Sequence, residues 1–125
     1  MGGRVVRVPT LEEITRVKAW LCLVRNATRD YLDLAALADR LGEEQAARVV
    51  MSMDDYYADQ RGPDGRRVAT QVARQLAEPR PDDLSESDLR SYRRLDTRWQ
   101  DWGAVADLCR GVAARVLDLV AREAP

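Results

Sequence analysis

Histidine and phenylalanine do not occur in this sequence, and lysine occurs once, at Lys18, against nineteen arginines. The missing histidine excludes Ser-His-Asp and Cys-His nucleophile systems, His-dependent zinc and di-iron sites, and the commonest general base. Any catalysis would have to run on carboxylates, arginine, tyrosine or cysteine, so the sequence leans away from an enzyme. Cysteine is scarce too. Cys22 and Cys109 lie far apart inside apolar stretches and read as buried thiols in a reducing compartment rather than a disulfide framework. No run of 18 apolar residues occurs, so no membrane-spanning helix is expected. The opening MGGRVVRVP is too short and too polar for a signal peptide, and Val6 stands where a myristoylation pattern needs Ser or Thr. A cytoplasmic protein with no cofactor follows as the expectation.

What is present fits one folded domain. With 46% apolar and 33% charged residues over 125 positions, the chain can bury one core and is too apolar for general disorder. The net charge of −1 gives no global pull toward nucleic acid or an anionic membrane. The arginine and alanine bias suggests a GC-rich bacterial or phage genome.

The spacing of apolar residues is helical almost throughout. Residues 1–9 read as a short extended N-terminal arm, with Pro9 separating it from a single helical domain over 10–125. Thr10 with Glu13 forms a capping box that opens a helix. Ile14, Val17, Leu21, Val24 and Tyr31 then follow a heptad-like spacing, which predicts a long first helix to Leu41, either continuous or broken near Asn26. Gly42 closes it. A second helix from Glu43 carries Ala46, Val49, Val50, Met53 and Tyr57. A third covers about 66–77, a stiff connector EPRPDD follows, and a fourth is capped by Ser85 or Ser87. A long last helix runs through Val105, Leu108, Val112 and Val116. The expected fold is all-α: a four- to five-helix bundle with long first and last helices.

Three sets of residues could carry function. The aspartates Asp54, Asp55 and Asp59, with Asp30 and Asp33 on the first helix, could hold Mg²⁺ for phosphate chemistry. Asp54, Asp55 and Asp59 also fall where a helix C-terminus disfavours negative charge. That points to an electrostatic clasp with Arg61, Arg66 and Arg67 across the Gly62–Gly65 turn. Arg90, Arg94 and Arg98 lie at i, i+4 and i+8 among Tyr92, Trp99 and Trp102. With Arg4 and Arg7 of the arm they could grip a single-stranded nucleic acid. The same aromatics recur at core spacing, so a buried face flanked by arginines competes with that reading. Residues 37–50 begin like a helix-turn-helix, but Glu43 and Arg48 occupy apolar positions and the would-be reading face is acidic.

Charge is distributed in blocks. Residues 1–29 carry six basic and two acidic groups, net +4, and residues 30–60 carry two basic and eight acidic, net −6. Two antiparallel copies would match these blocks, with a seam through Ile14, Val17, Leu21, Val24 and Tyr31. The sequence therefore reads as a small non-catalytic protein-interaction or accessory (adaptor) domain. It would be a homodimer with a further protein partner and no membrane. The alternatives are a nucleic-acid-binding accessory subunit and a Mg-dependent all-α phosphohydrolase.

Overall fold

The computed structural model describes residues 8–60, 67–83 and 101–123, and among them there are helices and no strand. In chain order these are α1 (Leu11–Val24), α2 (Thr28–Leu41), α3 (Glu43–Met51), the single turn α4 (Met53–Tyr56), a 3-10 turn (Ala58–Gln60), α5 (Val68–Ala77) and α6 (Trp102–Glu123). The all-α class holds, and the last helix is the long one.

The expected long first helix is two helices. Arg25 and Asn26 both donate their backbone N–H to the Leu21 carbonyl, and Asn26 takes φ of 50°. Asn tolerates this left-handed conformation better than most side chains, so it can stop a helix and turn the chain back. The heptad-like spacing continued across the break because α2 also buries Tyr31, Ala35 and Ala38, against a different set of neighbours. Thr10 caps α1 as its spelling implies, its side chain accepting from the Glu13 N–H at 3.1 Å. Gly42, with φ of 90°, ends α2 and begins α3, a conformation that disfavours any Cβ. The second expected helix also divides: Ser52 turns its hydroxyl onto the Val49 carbonyl at 2.6 Å, and α4 starts after it.

Helix α6 packs along α5 and α3 and reaches α2, while α1 lies on α2, α5 and α3. The core is built from valine, leucine and many alanines, with Tyr31, Leu32, Leu34, Met53 and Leu76 as the largest fully buried side chains. Alanines such as Ala19, Ala35, Ala47, Ala69 and Ala73 are also buried, which lets helix backbones approach closely in a chain without phenylalanine. Each fully buried Val or Leu adds about 1.5–3 kcal/mol relative to exposure, so this core is the main favourable contribution to the described helices. Trp102 meets the Tyr31 ring edge-on at 5.8 Å, tying the start of α6 to α2. The extended arm falls on residues 1–7, outside the described residues, apart from Val8 and Pro9.

Candidate functional site

Among the described residues, the turn between α1 and α2 is the densest polar centre. Asn26 donates its side-chain amide to the Arg80 carbonyl at 2.9 Å and to Asp82 at 3.2 Å. Its oxygen accepts from Gln75 at 2.8 Å and from the Tyr31 hydroxyl. The Asp82 N–H donates to the Asn26 carbonyl. Beside it, Asp83 accepts from both the N–H and the hydroxyl of Thr28, at 2.7 and 2.8 Å. Helix α2 has only Ala27 at its N-cap, so Asp83 supplies the missing cap from 55 positions away. Those two donors hold the Asp83 carboxyl below its ordinary range. Burial pushes the Tyr31 hydroxyl up to about 12. Sequence reasoning read EPRPDD only as a connector. The one available signal was a pair of aspartates with no helix of their own to cap.

The five aspartates considered for Mg²⁺ do not assemble. Asp30 is fully buried and held by Arg25 through two hydrogen bonds, 2.7 and 3.0 Å. That pairing raises the Arg25 guanidinium above its ordinary value. Asp33 pairs with Lys18 at 2.9 Å. Asp54 is buried, whereas Asp55 and Asp59 are exposed. No group of three or more potential metal ligands forms among the described residues. The buried carboxylates among them, Asp30 and Asp54, are already taken by a cation and by a helix end.

Asp54 has a specific task. It accepts from the Val68 N–H at 2.9 Å and the Ala69 N–H at 3.3 Å, and pairs with Arg67 at 3.3 Å. Its charge therefore sits at the N-terminus of α5, where the helix dipole favours it. The expected clasp is present through Arg67, which also reaches Glu123 of α6. Burial works against the Arg67 charge, but Glu123 and Asp54 together raise its pKa. Arg61 and Arg66 lie outside the described residues.

The seam residues divide between surface and core. Thr15, Ala19 and Cys22 form the buried side of α1. Val17 and Val24 stand on the opposite side, 45% and 54% exposed, with Ile14 and Leu21 half-buried. Tyr31 is fully buried in α2, so it cannot belong to a surface seam, and that placement is corrected. Next to this face Trp20 stacks on Tyr57, ring centroids 4.5 Å apart, and the Arg16 guanidinium lies 3.6 Å from the centre of the Tyr56 ring. A shallow groove of about 290 Å³ runs between α1 and α2, walled by Ile14, Ala36 and Leu37 with Lys18, Asp33 and Arg40 at its rim. A wider open depression of about 480 Å³ surrounds Gly42, but its charges are paired, Arg48 with Glu44 and Arg115 with Glu43.

Cys22 and Cys109 are buried free thiols. Burial pushes both upward, Cys109 to about 12, so neither is poised as a nucleophile. Arg4, Arg7, Arg90, Arg94 and Arg98, proposed for nucleic acid, all lie outside the described residues.

No family model and no solved structure matches the chain. Curated relatives do. The "Mycolic acid-containing lipids exporter MmpL11" of Mycolicibacterium smegmatis is 39% identical over 116 residues, covering 93% of this chain and 12% of that protein. The "Heme uptake protein MmpL11" of Mycobacterium tuberculosis is 35% identical over 116 residues, 93% of this chain and 11% of the relative. The "Probable transport protein MmpL11" of Mycobacterium leprae is 38% identical over 117 residues, 94% and 11% respectively. The chain thus spans about a ninth to an eighth of the length of the relatives it matches.

These findings correct the functional expectations. A free-standing cytoplasmic accessory homodimer with no membrane, or a phage protein, gives way to similarity with a segment of transport and uptake proteins of mycobacteria, while the bacterial expectation agrees with them. None of these relatives is named for nucleic-acid binding or phosphate hydrolysis. The expectation went wrong because a stretch of chain that builds its own core reads, from composition alone, as an independent protein. Among the described residues no helix is long and apolar enough to cross a membrane.

Proposed function

We propose that this chain is a folded helical module of an MmpL11-like membrane transport protein, standing in water beside the membrane. The observation that carries this reading is the match itself: 93% of the chain aligns at 35–39% identity with about a ninth to an eighth of the relatives. The module corresponds to one segment of a much larger transporter, so cargo translocation would rest mainly on the remainder. The cargo would be amphiphilic, such as the mycolic acid-containing lipids or haem for which the relatives are named.

The surface chemistry supports a water-facing placement. Exposed sides of α3 and α6 carry the ion pairs Arg48–Glu44 at 3.2 Å, Arg110–Asp107 at 3.4 Å and Arg122–Asp118 at 3.0 Å. A charged side chain at the centre of a bilayer costs about 2.5–3.5 kcal/mol even on permissive scales, so those faces belong in water.

The test is replacement. In the Mycolicibacterium smegmatis exporter, the matching segment is exchanged for this chain, for this chain carrying Leu76→Asp, or for a flexible linker. Membrane content and export of mycolic acid-containing lipids are then measured. Export should persist with the intact chain and fall with the other two. Normal export from the linker version, or none from a membrane-inserted chimera with the intact chain, would overturn the proposal.

A further inference from the structure

We infer that the outer face of α1 is a membrane-contact surface that seats on anionic lipid headgroups. This rests on the reading of the chain as part of a membrane transport protein. Of the five exposed large apolar side chains among the described residues, four lie on α1 or beside it: Val8, Val17, Val24 and Tyr56. Val17, Leu21 and Val24 are spaced four and three apart, so they form one stripe facing away from buried Thr15, Ala19 and Cys22. Trp20 and Tyr57 border that stripe as a half-buried stacked pair. Trp and Tyr beside an aliphatic stripe are the side chains that settle at the boundary between headgroups and acyl chains.

Charge selects the occupant. The described residues 8–29 carry four cations and two carboxylates, net +2. The Arg16 guanidinium rests on the Tyr56 ring and pairs with no carboxylate among the described residues. Arg25 and Arg29 flank the Val24 end, each more than half exposed although each touches an aspartate. Glu12 and Glu13 sit in the first turn of α1, and exposed Asp55 adjoins Tyr56. These carboxylates turn the N-terminal end away from an anionic surface and leave the Val17–Val24 half to make contact. An anionic lipid layer accepts both the cations and the apolar stripe.

The test is sedimentation of the full chain with vesicles of phosphatidylcholine alone or mixed equally with phosphatidylglycerol, at low and high salt. Variants are Val17→Asp/Val24→Asp, the milder Val17→Asn/Val24→Asn, and Leu117→Asp on α6 as a control, each checked for helicity. Wild type should bind the phosphatidylglycerol vesicles and weaken with salt. Either double variant should lose about tenfold in partitioning or more, and Leu117→Asp should match wild type. No binding by wild type, or equal binding by a folded double variant, overturns the inference. If lipid export is restored in the chimera while vesicle binding fails, this surface is refuted and the transporter reading stands.

Discussion

Replacing Asp54 by alanine tests how the two halves of this fold are joined. The carboxylate holds the first two N–H groups of α5 and pairs with Arg67, which in turn reaches α6. Helix α5 has no side-chain cap of its own. Loss of an N-cap oxygen costs about 0.5–2 kcal/mol. Here the Val68 N–H is buried and the acceptor is charged, and leaving such a donor unsatisfied costs about 1–3 kcal/mol. The two figures overlap at about 1–2 kcal/mol, so Asp54→Ala should destabilise the protein by about that much, a sizeable share of the 5–15 kcal/mol typical of a domain. At this length that lowers Tm by about 4–8 °C. Asp54→Asn keeps one acceptor oxygen and should lose roughly half as much. Urea unfolding followed by far-UV circular dichroism gives both values, with m unchanged for each variant. An Asp54→Ala protein within about 0.5 kcal/mol of wild type would refute the capping argument, because an uninvolved surface residue behaves that way.

Asn26 offers a contrast of backbone and side chain. Asn26→Gly loses the side-chain hydrogen bonds, whereas Asn26→Ala loses them and also places a Cβ at φ of 50°. Alanine should therefore be the worse replacement by about 1 kcal/mol in chemical denaturation, and the reverse order would contradict the left-handed turn. Asp83 has a folded-state pKa below its ordinary value of 3.8, because Thr28 donates to the ionised form. Its contribution is complete above that ordinary value and is lost as pH falls through the lower folded value. Between pH 5 and strongly acidic conditions, Asp83→Asn should lose less stability than wild type in an acid titration of the unfolding midpoint. Cys22 and Cys109 should resist a thiol-specific reagent at mildly alkaline pH in the native state and react together on unfolding. Rapid native labelling of either would show that the core opens locally.

The helical class was legible because burial on one side of a helix repeats every three to four residues, and that period depends on local geometry alone. The Thr10 cap and the Gly42 break were legible for the same reason, each being set by residues within one turn. Half of the Asp54 clasp was also visible, since Arg67 lies only thirteen positions away. The Asn26 break was left open in the sequence. Apolar spacing runs through it, and only the contacts with Gln75, Arg80 and Asp82, about fifty positions on, fix the turn.

Sequence by itself thus determined that the described segments are helical, the starts of α1 and α3 and the end of α2, and which side of each helix is apolar. It could not say whether an apolar stripe meets another helix or faces outward. Tyr31 and Val24 share one heptad pattern, yet Tyr31 is fully buried and Val24 is more than half exposed. Nor could it assign a carboxylate to a cation, to a distant helix end or to a metal ion. Those outcomes depend on which elements come together in space. Tertiary packing alone decided that Asp30 would neutralise Arg25, that Asp83 and Asp54 would cap helices far away in the chain, and that the outer face of α1 would be left uncovered by the other described residues.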